Sequence, residues 1–186
     1  KNIPSLNVLA KVQNKKLIKL WEGLGYYSRA RNLKKTAKVV LNDFNGKLPD
    51  KFEDLISLPG IGNYTASAIL AIAFNKPYIP MDGNVERVLK RYLYLKKNNE
   101  IQKDNLIKKK SILGISSRSS DYAQALMELG ALICKPTNPL CHQCPISKKC
   151  KSFKNKDFDL TKKVKTNINK YFLLKVYKKD QRYLLI

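Results

Sequence analysis

Apolar residues recur at helical spacing through most of this chain, and short polar, glycine or proline stretches interrupt them. Residues 6–20, LNVLAKVQNKKLIKL, carry the three-to-four-residue repeat of an amphipathic helix. Gly23 and Gly25 break it. SRARNLKKTAKVVLNDF then predicts a helix with Leu33, Ala37, Val40, Leu41 and Phe44 on one face. NGKLP is a turn. DKFEDLISL predicts a short helix capped by Asp50, with Glu53 at the reciprocal capping-box position. PGIG ends that helix, and NYTASAILAIAF, apolar nearly all round, predicts a buried one. After the loop NKPYIPMDG, NVERVLKRYLYL is helical again, with Asp82 at its mouth. Residues 96–120 are mixed and polar, in part helical, and SDYAQALMELGALIC is an amphipathic helix starting near Ser120 or Asp121. KYFLLKVYKKDQRYLLI places two apolar runs around KKDQ, the pattern of a β-hairpin.

The body is therefore expected to be mostly α, with strands only at the end. A lysine-rich composition shift marks a linker over 152–168, separating a domain at 1–151 from the start of a second one at 169–186. There is no internal repeat. The chain starts with Lys1 rather than Met and stops at Ile186 inside an apolar run, so it is expected to be an internal piece of a longer protein.

Composition changes this picture in one respect. Among 186 residues, 37 Lys and Arg oppose 14 Asp and Glu, a formal charge of +23. Such an excess predicts a polyanionic partner, DNA or RNA first and an anionic membrane second. Drift towards Lys, Asn and Ile in an AT-rich genome explains the same charge equally well, so charge alone names no function. No apolar run approaches the roughly 20 residues needed to cross a bilayer, and residues 1–186 carry no signal-peptide pattern. No membrane association is expected.

Four motifs carry candidate chemistry. All four cysteines lie in CKPTNPLCHQCPISKKC, with Cys134, Cys141, Cys144 and Cys150 spaced C-x6-C-x2-C-x5-C. Disulfides do not suit a chain without signs of secretion. Four thiolates in so compact a loop suit a [4Fe–4S] cluster, and a four-cysteine zinc site is the alternative. His142, the single histidine, is expected to be a solvated loop residue. The second motif is LISLPGIGNYTASAI. Leu58, Pro59, Gly60, Ile61 and Gly62 form a tight turn between two helices, whose amides and following helix N-terminus suit a DNA phosphate. A plain corner between core helices is the bland alternative. The third is Asp82, which serves as an N-cap, as a rigidly placed catalytic carboxylate, or as both. The fourth is GLGYYSRARNL, where Tyr26, Arg29 and Arg31 suit a loop that wedges into a base stack. A buried aromatic with solvated arginines explains it as well.

As an ordered set, LWEGLGYYSRARNL, LPGIGNYTASAIL, MDGNVERVL and MELGALIC with its three following cysteines resemble the helix-hairpin-helix DNA glycosylases that carry an iron–sulfur cluster, and among them the MutY-type adenine glycosylases. The resemblance runs over residues 6–150 and continues weakly into 169–186. It implies part of a six-helix barrel with a helix-hairpin-helix at about 52–74, a [4Fe–4S] lobe at 134–150, and the first strands of a C-terminal Nudix-like α/β domain. It implies that Asp82 stabilises the sugar cation or positions the nucleophile. Leu58–Gly62 would grip phosphate, Tyr26 would wedge beside the lesion, Lys135 would help hold DNA, and Cys134, Cys141, Cys144 and Cys150 would ligate the cluster. Endonuclease III-type lyases carry a nucleophilic lysine where this chain has Tyr64, so the resemblance favours a monofunctional enzyme. Glu86 stands where some relatives are basic. The implied partner is double-stranded DNA with adenine opposite 8-oxoguanine or guanine, and the implied setting is a monomer in the bacterial cytoplasm, near the nucleoid. The second carboxylate of this family, a glutamate acting as general acid on the adenine ring, lies in a helix upstream of residue 1. Glu22, Glu53, Glu86, Glu100 and Glu128 all read as solvated, so residues 1–186 alone are expected to excise adenine poorly.

Overall fold

The computed structural model describes residues 2–95, 117–158, 176–179 and 182–185. The first apolar stretch forms two helices, α1 (Leu6–Lys11) and α2 (Asn14–Leu20), because Val12 leaves helical geometry at ψ 138°. Ser5 caps α1 by accepting the Val8 N–H at 3.3 Å. Then come α3 (Tyr27–Asp43), α4 (Phe52–Ser57), α5 (Asn63–Ile72), α6 (Gly83–Leu93) and α7 (Ser119–Glu128). The last of these continues into a π-helical turn at Leu129–Ile133. The cysteine segment forms two 3₁₀ turns, Cys141–Gln143 and Ser147–Lys149, before the short α8 (Lys151–Lys154). The expected hairpin is present as β1 (Val176–Lys179) and β2 (Arg182–Leu185), antiparallel, with Val176 opposite Leu185 and Lys179 opposite Arg182.

Two apolar cores divide the helices. One gathers Val40, Leu55, Leu58, Ala66 and Leu70, with Phe44, Phe52, Ile61 and Tyr78 against them. The other gathers Ile79, Val85, Val88, Leu89 and Leu126, with Met81, Tyr122, Cys134 and Ile146. The chain passes from the first core at Tyr78 to the second at Ile79, and Asp82 follows three residues later. The candidate catalytic carboxylate thus sits where the chain has just crossed between lobes. Small residues Ala66, Ser67 and Ala71 line the buried face of α5, which lets its neighbours approach closely.

Several local expectations need correction. Leu33 lies on the same side of α3 as the buried Ala30, Ala37 and Val40, yet it is 46% exposed, because no described element covers it. Asp50 does not cap α4. The cap position is Lys51 and has no side-chain bond, while Asp50 pairs with Lys76 at 2.6 Å. An ion pair to a neighbouring loop has won over the local cap. The hydrogen bond and charge of Lys76 hold the Asp50 carboxyl below its ordinary value. The helix α5 is not buried all round, since Tyr64 and Ile72 are 44% and 40% exposed. The expected linker does not begin at residue 152: α8 is helical there, Ser152 is fully buried, and Phe158 is tied back to Arg91. Residues 96–116, which include Glu100, and 159–175 lie outside the described residues. An apolar groove of about 540 Å³, lined by Val88, Tyr122, Leu126, Leu132 and Ile146 among others, contains none of the candidate site residues. No described helix is long and apolar enough to cross a membrane.

Candidate active site and cysteine lobe

The turn at Leu58–Gly62 is built on α3. Leu58 is buried and its carbonyl accepts the Ile61 N–H at 3.1 Å. Thr36 of α3 donates its hydroxyl to the Pro59 carbonyl at 2.8 Å. Gly60 has φ +81°, and a Cβ there would lie 2.6 and 2.7 Å from Nδ2 and Cβ of Asn32. Only glycine allows both the left-handed backbone and the close contact with α3. Gly62 is the cap residue of α5, in extended geometry and without a side-chain cap bond, so the first amides of α5 are left for another acceptor.

Tyr64 sits in the first turn of α5, and its hydroxyl points to the Met127 sulfur of α7 at 3.8 Å. It links the two helices across the lobes. Asp82 caps α6: its Oδ1 accepts the Val85 N–H at 2.7 Å. The cap expectation and the rigid placement therefore hold together. The half-buried carboxylate lies at the positive end of α6, where the helix dipole favours negative charge. Glu86, one turn on, pairs with Lys90 at 2.6 Å. Glu22, Glu53 and Glu128 are exposed.

Tyr26 is 82% exposed, at φ 46°, ahead of the first turn of α3. Arg29 does not reach out freely: its guanidinium lies 5.5 Å from the Trp21 ring and 5.8 Å from the Tyr26 ring. Arg31 and Lys135 are exposed.

All four cysteines are free and half-buried, and they line one small cavity with Arg91, Ile133, Phe153 and Phe158. Among the described residues, no three Cys, His, Asp or Glu side chains are arranged to hold a single ion. Burial, then the neighbouring Cys134, Cys150 and Cys144, push the Cys141 thiol up, and burial does the same to Cys144. His142 is exposed and meets Phe153 edge-on at 5.8 Å.

Sequence reasoning missed the two arginines that hold this lobe to α6. Arg87 donates to the Cys134 carbonyl at 2.8 Å, to the Gly130 carbonyl at 2.6 Å and to Asn84 Oδ1 at 2.8 Å. Arg91, only 6% exposed, donates to the carbonyls of Lys135 (2.6 Å), Pro136 (2.8 Å) and Phe158 (3.2 Å), and to Cys134 Sγ at 3.5 Å. Cys150 Sγ in turn donates to the Arg91 carbonyl at 3.6 Å. Their spacing of four residues on a helix preceding a cysteine loop was the available signal. Gly130 lets α6 come close: a Cβ there would meet Asn84 Cβ at 2.7 Å and its carbonyl oxygen at 2.9 Å.

The model of the HhH-GPD superfamily of base excision DNA repair proteins matches residues 1–111. The chain is 41% identical over 184 residues to the adenine DNA glycosylase of Buchnera aphidicola subsp. Baizongia pistaciae, covering 96% of this chain and 52% of that protein. It is 40% identical over 156 residues to the human adenine DNA glycosylase, covering 80% of this chain and 28% of that one. The chain spans about half the length of its bacterial curated relatives. Among solved structures, a non-covalent endonuclease III–DNA complex matches with TM-score 0.66 and 26% identity, covering 82% of this chain and 71% of that one. A thermostable thymine-DNA glycosylase matches with TM-score 0.67 and 30% identity, covering 81% and 70%.

Proposed function

The chain belongs to the HhH-GPD superfamily of base excision DNA repair proteins, and from that premise we propose that its parent protein hydrolyses the N-glycosidic bond of adenine mispaired with 8-oxoguanine or guanine in double-stranded DNA. The observation that carries this reading is Asp82. It stands at the helix mouth with one oxygen fixed by the Val85 N–H, and the other would serve a flipped nucleotide. The likeness to adenine DNA glycosylases over most of the chain supports adenine as the base.

The chemistry is a substitution at C1′. As the C1′–N9 bond breaks, positive charge builds on the sugar, and the Asp82 carboxylate opposes it or orients the attacking water. Water oxygen bonds to C1′, its proton is released, and adenine leaves carrying a proton. Protonating the adenine ring first makes it a better leaving group, an effect of roughly 10²–10⁴-fold. The Leu58–Gly62 turn would hold a phosphate by backbone amides, and Tyr26 would fill the space beside the lesion. Tyr64 supports monofunctional chemistry, because a phenol in the lyase position cannot form the Schiff base an amine would.

The cysteine lobe is proposed to bind a [4Fe–4S] cluster. Four half-buried thiols lining one cavity in a single compact loop suit a four-cysteine cluster, with a four-cysteine zinc site as the alternative. A bound cluster supplies a four-point tie that is also redox-capable. The exposed Lys135 side chain beside it would meet the DNA backbone, and the hairpin Val176–Leu185 would open a Nudix-like domain. A monomer in the bacterial cytoplasm, near the nucleoid, completes the proposal.

Asp82→Asn tests the assignment. Asn caps a helix about as well as Asp, so the fold is expected to change by less than about 0.5 kcal/mol. Single-turnover excision is expected to fall at least about 10²-fold while duplex affinity stays within about twofold. Unchanged excision would leave Asp82 as a cap only and favour a non-catalytic DNA-binding module. The same assay on residues 1–186 alone is expected to show slow excision, since the acid is proposed to lie upstream; a rate equal to the full-length protein's would place the acid within this chain.

A further inference from the structure

Trp21, Leu24, Gly25, Tyr26 and Arg29 form a closed local set around an exposed tip. Tyr26 and Leu24 are 82% and 61% exposed, and Tyr26 holds a left-handed backbone at φ 46° that L residues seldom adopt. Such a conformation persists only where its surroundings enforce it. Two side chains supply the enforcement. The Trp21 indole N–H donates to the Gly25 carbonyl at 3.0 Å, and the Arg29 Nη2 donates to the Leu24 carbonyl at 3.2 Å. The Arg29 guanidinium also lies against both rings, 5.5 Å from that of Trp21 and 5.8 Å from that of Tyr26, within cation–π range. Arg29 stands on the first turn of α3, so the tip is fixed to the longest described helix.

We propose that Trp21 and Arg29 are positioning residues that hold the Leu24–Tyr26 tip in its projecting form before DNA arrives. This reassigns Arg29 from the base-stack contact that the sequence pattern invites. It rests on the reading of Tyr26 as a wedge. A tip already ordered loses less freedom on insertion, so the brace raises affinity without touching DNA.

The test uses full-length protein and a duplex carrying a tetrahydrofuran abasic analogue with 2-aminopurine as its neighbour, which needs no base excision. Tyr26→Ala is the control: loss of the 2-aminopurine unstacking signal establishes the wedge, and an unchanged signal overturns both the wedge and the brace. Trp21→Phe keeps a ring under Arg29 but removes the indole N–H. Arg29→Lys keeps the charge but removes the flat, forked donor. Both are expected to lower the unstacking signal and to weaken binding by about two- to tenfold, the size of one or two net hydrogen bonds. Arg29→Gln is expected to leave the slope of log K against log salt as in the unsubstituted protein. A slope reduced by about 0.9, with the unstacking signal intact, makes Arg29 a phosphate contact and overturns the proposal. A full signal in both Trp21→Phe and Arg29→Lys, with Tyr26→Ala dark, overturns the brace alone.

Discussion

At Asp82 one carboxylate oxygen is committed to the Val85 N–H, so its direction is set by the first turn of α6 and not by side-chain rotation. The motif MDGNVERVL made the cap legible, and the chemical role proposed for Asp82 needs the same fixed placement. Gly60 was legible for the same kind of reason: a glycine between proline and isoleucine in a tight turn predicts a backbone other residues avoid. What the sequence did not show is the second constraint, the Asn32 side chain 2.6 Å from where a Cβ would be. Gly60→Ala is therefore expected to cost at least about 1–2 kcal/mol, more than conformational strain alone, and to weaken duplex binding with it. Thermal melts and equilibrium binding of the variant check this. A melt unchanged within error would mean that α3 and the turn move apart freely. Asp50 was misread because its capping partner, Glu53, lies nearby in sequence, whereas its actual partner, Lys76, is reached only through the fold.

At the scale of elements, helices with strong periodicity were found where the pattern placed them, and their ends and coverings were not. The split between α1 and α2 turns on one residue, Val12, whose side chain gives no warning of it. Leu33 matches the buried face of α3 by angle, but burial depends on whether another element arrives there. The cysteine spacing pointed to the metal loop proposed here; the fastening of that loop to α6 by Arg87 and Arg91 needed the structure. Arg91→Leu removes a charged donor from three carbonyls that would stay partly buried, and is expected to destabilise the lobe by at least about 2 kcal/mol. Purified full-length protein should then carry well under the about four irons per chain of a filled cluster. Full iron content with wild-type thermal stability would show that the cysteines hold the loop unaided.

For the whole molecule, two cores meet at the segment 78–82, and the proposed DNA-facing parts come from both. The hairpin turn and Tyr26 belong to the side built on α3, while Asp82 and the cysteine lobe belong to α6. Tyr64 and Met127 touch across the two. The formal charge of +23 over the whole chain favours a polyanionic partner, without choosing a base. That choice rests on Tyr64, Asp82 and the likeness to adenine glycosylases. It is tested most directly by single-turnover base release from three duplexes with the full-length protein: adenine opposite 8-oxoguanine, adenine opposite guanine, and thymine glycol opposite adenine, each analysed with and without alkali. The account predicts adenine release from the first two, with strand breaks appearing only after alkali. Thymine-glycol release with breaks in the absence of alkali would contradict it, and would require a lysine elsewhere in the protein to act as the nucleophile.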